Sequence, residues 1–152
     1  MQTDDTDRRL LRQMLATPDT PLPEVAERAG LTASTAARRL DRLKAVGVVE
    51  GIERVIDWSA LGYTVQVSLR VTLEKGPDRA FEAFQREARE IPEVLEIQTF
   101  LGRVDARLSV IARDMAHDQE VYRERILRLP HIADIEALMH VATVKDDRSL
   151  PL

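Results

Sequence analysis

The side chains best suited to chemistry lie between residues 32 and 44, in the run TASTAARRLDRLK. Ser34, Arg38 and Arg42 recur at intervals of four residues, so a helical segment would carry them on one face. Arginine donates two hydrogen bonds to the edge of a guanine, and both arginine and lysine neutralise phosphates. Hydroxyls at the start of a helix and basic side chains further along it suit entry into the major groove of DNA. This segment is therefore predicted to contact DNA.

The predicted contacts divide into two groups. Four side chains are expected to face base edges or adjacent phosphates, and two are expected mainly to bind the DNA backbone. The first group is Ser34, Thr35, Arg38 and Arg42, and the second is Arg39 and Lys44. Asp41 is the one acidic residue among them, and we expect it to pair with nearby arginines and to influence base choice. Taken alone, the pattern also fits an ordinary surface helix with a solvated basic face.

The boundaries of this helix are marked in the sequence. Thr32 can accept a hydrogen bond from an N–H group of the first turn, and Gly47 can end the helix in a left-handed conformation. The apolar stripe between them consists of Ala36, Leu40 and Leu43. The segment is therefore predicted to be an amphipathic helix that buries one side and exposes the basic side.

Two further helices are predicted before it. Pro23 suits the first position of a short helix, and Gly30-Leu31-Thr32 makes the tight corner of a helix-turn-helix. The apolar contacts of this helix are expected to be Val25 and Ala26. Asp4 can cap a first helix, whose predicted buried face consists of Leu10, Leu11, Met14 and Leu15. Residues 48–52 are predicted to form a short strand or wing.

From residue 63 the periodicity changes to two, which predicts a half-buried strand. Its inward residues are Val65, Val67, Leu69, Val71 and Leu73. A helix is expected from Gly76-Pro77, with Phe81, Phe84 and Ala88 facing inward. Strands are predicted at 94–101, 104–113 and 132–145. Asp114 is expected to cap a second helix, whose apolar face is Met115, Tyr122, Ile126 and Leu129.

This order, β-α-β-β-α-β, predicts a ferredoxin-like sheet with two helices on one face. The α+β fold class follows: an N-terminal winged helix-turn-helix at residues 1–50, a connector at 51–62 and a βαββαβ domain at 63–152. Trp58 and Leu61 are expected to anchor the connector. The uncovered face of the sheet predicts self-association.

Charge and composition narrow the functional classes. The net charge is −4, yet residues 28–44 hold five basic residues against one acidic residue, a local charge of +4. Screening limits surface charges to about 8–10 Å, so this local excess matters more than the total. The chain has no cysteine, which excludes a disulfide framework and a thiolate metal site. The polar N terminus and the short apolar runs predict a soluble, cytoplasmic protein with no signal peptide or membrane span. The sequence contains no glycine-rich phosphate loop and no H-E-x-x-H pattern, so no cofactor or metal is expected.

The combination resembles the Lrp/AsnC family, also called the feast/famine regulators, over nearly the whole chain. In the N-terminal half the matching residues are Asp7, Leu10, Leu11, Ala26, Gly30-Leu31-Thr32, Arg38-Arg39, Leu43 and Gly47-Val48-Val49. In the C-terminal half they are Gly102-x-x-Asp105, Asp114, Leu129-Pro130, and the ending from Thr143-Val144-Lys145 to Leu150-Pro151-Leu152. Each motif is weak alone, and their order along the chain makes the resemblance specific.

The resemblance implies a transcriptional regulator that binds double-stranded DNA and dimerises through its C-terminal domain. It also implies that homodimers assemble into octamers or hexadecamers, and that an effector, commonly an amino acid, binds in a cleft between dimers. The residues that the resemblance places near this cleft are Leu101, Gly102, Arg103, Val104 and Asp105. The backbone N–H groups of the glycine turn suit a carboxylate, and Asp105 could meet an α-ammonium group. The sequence departs from the family pattern at Val104, Ala106 and Arg107, which leaves the ligand open.

Two other functional classes compete with this one. An enzyme would need a clustered nucleophile, base and orienting group, and His117, His131 and His140 lie in no such pattern. Gly102 and Asp105 could instead be purely structural, the glycine making the turn and the carboxylate bonding the backbone. The second competing class is an architectural protein that wraps or bridges DNA without responding to a ligand, since an oligomer of helix-turn-helix dimers could do both.

Overall fold

The computed structural model describes residues 3–76 and 79–145 and divides them between two compact units. One unit runs from the N terminus to Val55, and the other comprises Ile56–Val144. Pro77, expected at the start of a helix, and the 150–152 ending of the family pattern lie outside the described residues.

The N-terminal unit contains three helices, α1 (Asp5–Ala16), α2 (Leu22–Arg28) and α3 (Ala33–Ala45). The carboxylate of Asp4 accepts a hydrogen bond from the Asp7 N–H, and the hydroxyl of Thr32 accepts one from the Thr35 N–H, so both predicted N-caps are confirmed. The common core of these helices consists of Leu10, Val25, Ala26, Ala29 and Ala36.

The end of α3 explains the need for a glycine. Gly47 has φ +75°, its N–H bonds the Lys44 carbonyl, and the Val48 N–H bonds the Leu43 carbonyl. These two bonds form a Schellman motif, which satisfies carbonyls that the helix leaves unpaired. The strand predicted at 48–52 is not formed: residues 49–57 have no regular secondary structure. The prediction that α1 buries Leu15 is also wrong, since this side chain is 41% exposed.

The C-terminal unit is a four-stranded antiparallel sheet with two helices on one face. Its elements are β1 (Val65–Leu73), α4 (Ala80–Ala88), β2 (Val94–Thr99), β3 (Ala106–Ala112), α5 (Met115–Glu124), a 3-10 turn (Ile126–Arg128) and β4 (Ile132–Met139). The strand order β2-β3-β1-β4 confirms the ferredoxin-like βαββαβ topology. Asp114 caps α5, as predicted, by accepting a hydrogen bond from the His117 N–H.

Alternation along the strands separates a packed face from a polar face. Leu69 lies opposite Leu108 of β3 and packs with Phe84 of α4 and Val121 of α5 in one core. The other face carries two ion pairs, Arg70–Glu136 and Arg107–Glu96, each at 3.3 Å. Arg107, one of the positions at which the sequence departs from the family pattern, therefore lies on the polar face of β3.

The predicted strands are longer than those that form. β2 ends at Thr99, β3 starts at Ala106 and β4 ends at Met139, because strand pairing stops at these positions. Two residues assigned to the core are exposed instead, Phe81 by 38% and Met115 by 44%. The buried residues of α4 are Ala80, Phe84 and Ala88, and the buried residue of α5 is Val121, so Phe81 and Met115 lie outside the buried stripes of their helices.

Candidate nucleic-acid interface and effector loop

Helix α3 presents one side to its unit and the other to solvent. Ala36 and Leu43 are buried, whereas Ser34, Arg38 and Lys44 are exposed. Arg38 and Lys44 make no hydrogen bond or ion pair with any described residue, so both charges are available to an external partner. The outward side of α3 therefore combines a hydroxyl near its start with unpaired basic groups further along.

The arginines Arg39 and Arg42 have a different environment. Arg39 Nη1 lies 2.7 Å from Asp4 Oδ2 and 2.8 Å from Asp7 Oδ1, and Arg42 Nη2 donates to Asp7 Oδ2. The Nε of Arg42 is buried and has no hydrogen-bond partner among the described residues. Both guanidinium groups thus join α3 to the start of α1.

Asp7 is the centre of this cluster and its side chain is 0% exposed. Its carboxylate accepts hydrogen bonds from Arg39, from Arg42 and from the Asp4 N–H at 3.1 Å. The Asp7 N–H in turn donates to Asp4 Oδ1 at 2.7 Å, which completes a capping box. A buried carboxylate is costly unless it is paired and hydrogen-bonded, and this one has both kinds of partner.

The cluster lowers the pKa of both carboxyl groups. For Asp4 the hydrogen bond from Arg39 is the main cause of the lowered pKa, and the Asp7 N–H adds to it. For Asp7, burial acts to raise the pKa, but hydrogen bonds from Arg39, the Asp4 N–H and Arg42 together outweigh it. The same bonds, first from Asp4 and then from Asp7, raise the pKa of Arg39. All three groups are therefore stabilised in their charged forms.

The sequence contained a signal for this cluster that the prediction of DNA contacts missed. Asp7, Leu10 and Met14 fall on one face of α1, and Leu10 is fully buried. An acidic residue on a buried stripe requires a cationic partner, and α3 carries several within the N-terminal half. The pairing itself, across 32 and 35 residues, was not predicted.

The hydroxyl groups at the start of α3 bond one another. The Thr32 hydroxyl donates to Thr35 Oγ1 at 2.9 Å and lies 3.2 Å from Ser34 Oγ. This arrangement fixes the first turn of the helix while Ser34 remains exposed and Thr35 half-buried.

The hairpin between β2 and β3 contains the five residues assigned to the effector cleft. Leu101 is fully exposed, and Gly102 has φ +156°. Apart from its chain neighbours, no heavy atom of the described residues lies within 4 Å of the position that a Cβ on Gly102 would occupy. Within the described part of the chain, the N–H groups of residues 101–104 donate no hydrogen bond. Four successive amides are therefore available to an acceptor such as a carboxylate.

Asp105 attaches this hairpin to β1. Its Oδ2 accepts a hydrogen bond from the Leu73 N–H at 2.8 Å, and its own N–H donates to the Val71 carbonyl at 3.0 Å. The Arg103 carbonyl accepts a further bond from the Thr72 hydroxyl at 3.2 Å. Asp105 also borders a cavity of about 430 Å³ that lies between the end of β1 and the start of α4. The carboxylate is thus partly committed to structure, and its Oδ1 accepts no hydrogen bond from a described residue.

The histidines form no catalytic arrangement in the described residues. His117 Nδ1 accepts a hydrogen bond from the Arg113 N–H, and its Nε2 lies 3.5 Å from Glu93, which also pairs with Arg125. No cluster of three or more metal-ligating side chains occurs among residues 3–76 and 79–145.

Comparison with known families agrees with both halves of this structure. Residues 3–50 match the model of the winged helix-turn-helix DNA-binding domain, and residues 66–150 match that of the Lrp/AsnC ligand binding domain. The chain belongs to the Lrp/AsnC family. This Lrp/AsnC protein is accordingly a transcriptional regulator with a DNA-binding domain and a ligand-binding domain, and not an enzyme.

Relatives of known role or structure span almost the whole chain. The chain is 30% identical to the proline dehydrogenase transcriptional activator of Rhodobacter capsulatus, over 96% of this chain and 95% of the relative. It is 25% identical to the leucine-responsive regulatory protein of Escherichia coli, over 97% and 90% of the two chains. A transcriptional regulator from Neisseria meningitidis in complex with L-Met superimposes with a TM-score of 0.90 at 25% identity, covering 99% and 97%. Among the described residues of this regulator, no helix is long and apolar enough to span a membrane.

Proposed function

We propose that this regulator contacts DNA through the outward side of α3, with Ser34, Arg38 and Lys44 at the interface and Thr35 at its margin. The observation that carries the proposal is the unpaired, exposed guanidinium of Arg38 on a helix whose opposite side is buried, within the part of the chain that the structure describes. Arg39 and Arg42 contribute mainly by holding α3 against α1, because Asp4 and Asp7 bind their guanidinium groups. Any DNA contact they make competes with those ion pairs.

The substitution Arg38→Ala tests this assignment on DNA sites first selected from a random library with the unaltered protein. We expect affinity for the selected site to fall by about 1–3 kcal/mol, with a smaller loss on unrelated DNA, if Arg38 reads a base. Arg86→Ala is the control, since Arg86 is an exposed arginine of the C-terminal unit. An Arg38→Ala protein that binds like the control would exclude Arg38 from the interface.

We further propose that an amino acid or related metabolite binds at the hairpin formed by Leu101, Gly102, Arg103, Val104 and Asp105. The unbonded amides of residues 101–104 can receive a carboxylate, and the unbonded oxygen of Asp105 can receive an ammonium group. The L-Met complex of the Neisseria relative supports this class of ligand. Dimers that assemble into octamers would place the hairpin between subunits, and the ligand would favour one assembly by binding it more tightly.

A thermal-shift screen against the twenty amino acids, followed by sedimentation, tests ligand class and assembly together. A ligand at 100 times its dissociation constant stabilises the folded state by about 2.7 kcal/mol. A second screen uses Gly102→Val, in which a β-branched residue is strained at positive φ without meeting a neighbour. Loss of the ligand response is expected for this variant and not for Gly62→Val, which strains another turn.

The alternative is an architectural protein that binds DNA without an effector. One observation favours this alternative: the Leu73 N–H donates a hydrogen bond to Asp105, which gives the Asp105 carboxylate a structural role. Intact folding without any hit in the screen, together with weak sequence preference in the selection, would support this alternative.

A further inference from the structure

The outward side of α3 carries a carboxylate as well as basic groups. Asp41 is exposed and makes no hydrogen bond or ion pair with any residue that the structure describes. The basic groups three residues away on the helix, Arg38 and Lys44, make no ion pair with it, so the predicted pairing of Asp41 with nearby arginines is wrong. Asp41 therefore presents an unpaired negative charge on the side of the helix proposed to enter the DNA groove.

Helix geometry places this carboxylate among the groups proposed to contact bases. Asp41 follows Arg38 by three residues, which is about 4.5 Å along the axis and roughly 60° around it. It follows Ser34 by seven residues, or about 10 Å, and is roughly 20° from it around the axis. Successive bases of a strand are about 3.4 Å apart, so Arg38 and Asp41 would face positions one or two base pairs apart.

The chemistry of a carboxylate restricts what it can meet in the major groove. It accepts hydrogen bonds only, whereas guanine presents the acceptors O6 and N7 and thymine presents O4. Cytosine presents the N4 amino group as a donor, and adenine presents its N6 donor beside the N7 acceptor, which would repel the carboxylate. Phosphates repel it too. The N4 amino group of cytosine is the partner with the best match.

We propose that Asp41 is a specificity-determining residue that accepts a hydrogen bond from the N4 amino group of a cytosine, one or two base pairs from the position that Arg38 contacts. This inference rests on the proposed DNA contacts of α3. It assigns opposite tasks to the two side chains: Arg38 supplies affinity and favours guanine, while Asp41 excludes sites that lack a donor at the neighbouring position.

Site selection from random DNA with the full chain tests the proposal, using Asp41→Ala and Asp41→Asn beside the unaltered protein. We expect a cytosine in the selected half-site, and loss of that preference alone in Asp41→Ala, by about 5- to 150-fold against the other bases. Asparagine pairs with adenine through N6 and N7, so Asp41→Asn should change the preference at that position from cytosine to adenine. Asp5→Asn, at an exposed carboxylate of α1, is the control.

The outcomes distinguish this inference from the proposed DNA contacts. An Asp41→Ala protein whose affinity rises equally on all sequences would overturn the inference, because Asp41 would then only repel phosphates. Unchanged base preference in both Asp41 variants, with Arg38→Ala still impaired, would overturn it as well. If Arg38→Ala and Asp41→Ala both bind as the unaltered protein does, the proposed contact of α3 with DNA fails together with it.

Discussion

The substitution Asp7→Asn should destabilise the N-terminal helices far more than its chemical conservatism suggests. The Asp7 carboxylate is 0% exposed and accepts three hydrogen bonds, from Arg39, Arg42 and the Asp4 N–H. Asparagine retains one acceptor oxygen and turns an amide donor toward a guanidinium donor. One charge-assisted bond is lost outright and the other is weakened.

The size of the destabilisation by Asp7→Asn depends on how exposed the two arginines paired with Asp7 are. A hydrogen bond to a charged group contributes about 1.5–3 kcal/mol, and an unpaired buried charge raises the loss further. The side chains of Arg39 and Arg42 are 25% and 40% exposed, so water can partly replace the lost carboxylate. We therefore expect a loss of about 2–4 kcal/mol in the free energy of unfolding of this unit. That is a large share of the stability of a typical domain, about 5–15 kcal/mol.

Native-state hydrogen exchange is the appropriate assay, because a protein with two structural units need not unfold in a single transition. The protected amides of α1 and α3 should exchange roughly 30- to 700-fold faster in Asp7→Asn. Amides of β1 and β3, in the other unit, provide an internal reference. Asp5→Asn is the matched variant, with an exposed carboxylate on the same helical turn, and should change stability by less than about 1 kcal/mol. Equal exchange rates in the two variants would refute the role assigned to Asp7.

Three further outcomes are expected. The pKa values of Asp4 and Asp7 are lowered in the folded protein, so the stability they contribute is present above their ordinary pKa of 3.8 and is lost as the pH falls through the lowered values. Circular dichroism should therefore show a loss of helix at acidic pH, and this loss should depend less steeply on pH in Asp7→Asn. Thr32→Ala removes the cap of α3 and should cost about 1 kcal/mol, measured by exchange in its first turn. In salt titrations of DNA binding, Arg38→Ala should reduce the slope of log K against log salt by about 0.9 if it contacts a phosphate, and Arg42→Ala should change it little.

Each of these three predictions would be contradicted by a specific result. Identical acid transitions in the unaltered protein and Asp7→Asn would mean that the cluster adds no pH-dependent stability. Unchanged exchange in Thr32→Ala would place the start of α3 under the control of its packing and not of its cap. A reduced salt slope in Arg42→Ala would show that this arginine leaves Asp7 to bind a phosphate.

Much of the fold could be predicted from local patterns. The caps Asp4, Thr32 and Asp114 were predicted because a side-chain acceptor and its N–H partner are three residues apart. The alternation in β1 is likewise a local signal. Each of the six elements of the C-terminal unit has such a signal, and their order along the chain then predicted the ferredoxin-like sheet. Predictions were wrong where a segment needs a distant partner, as in the missing strand at 48–52.

In the candidate DNA interface, too, local sequence patterns predicted some features and tertiary packing decided the others. The sequence by itself determined that α3 is an amphipathic helix with basic residues, because periodicity and composition are local properties. Only the tertiary structure decided which of those residues are paired: Asp7 binds Arg39 and Arg42 across 32 and 35 residues, while Arg38 and Asp41 have no partner among the described residues. The physical reason is that a charge is neutralised by the group that packing brings within about 3 Å, and residue spacing does not encode that distance.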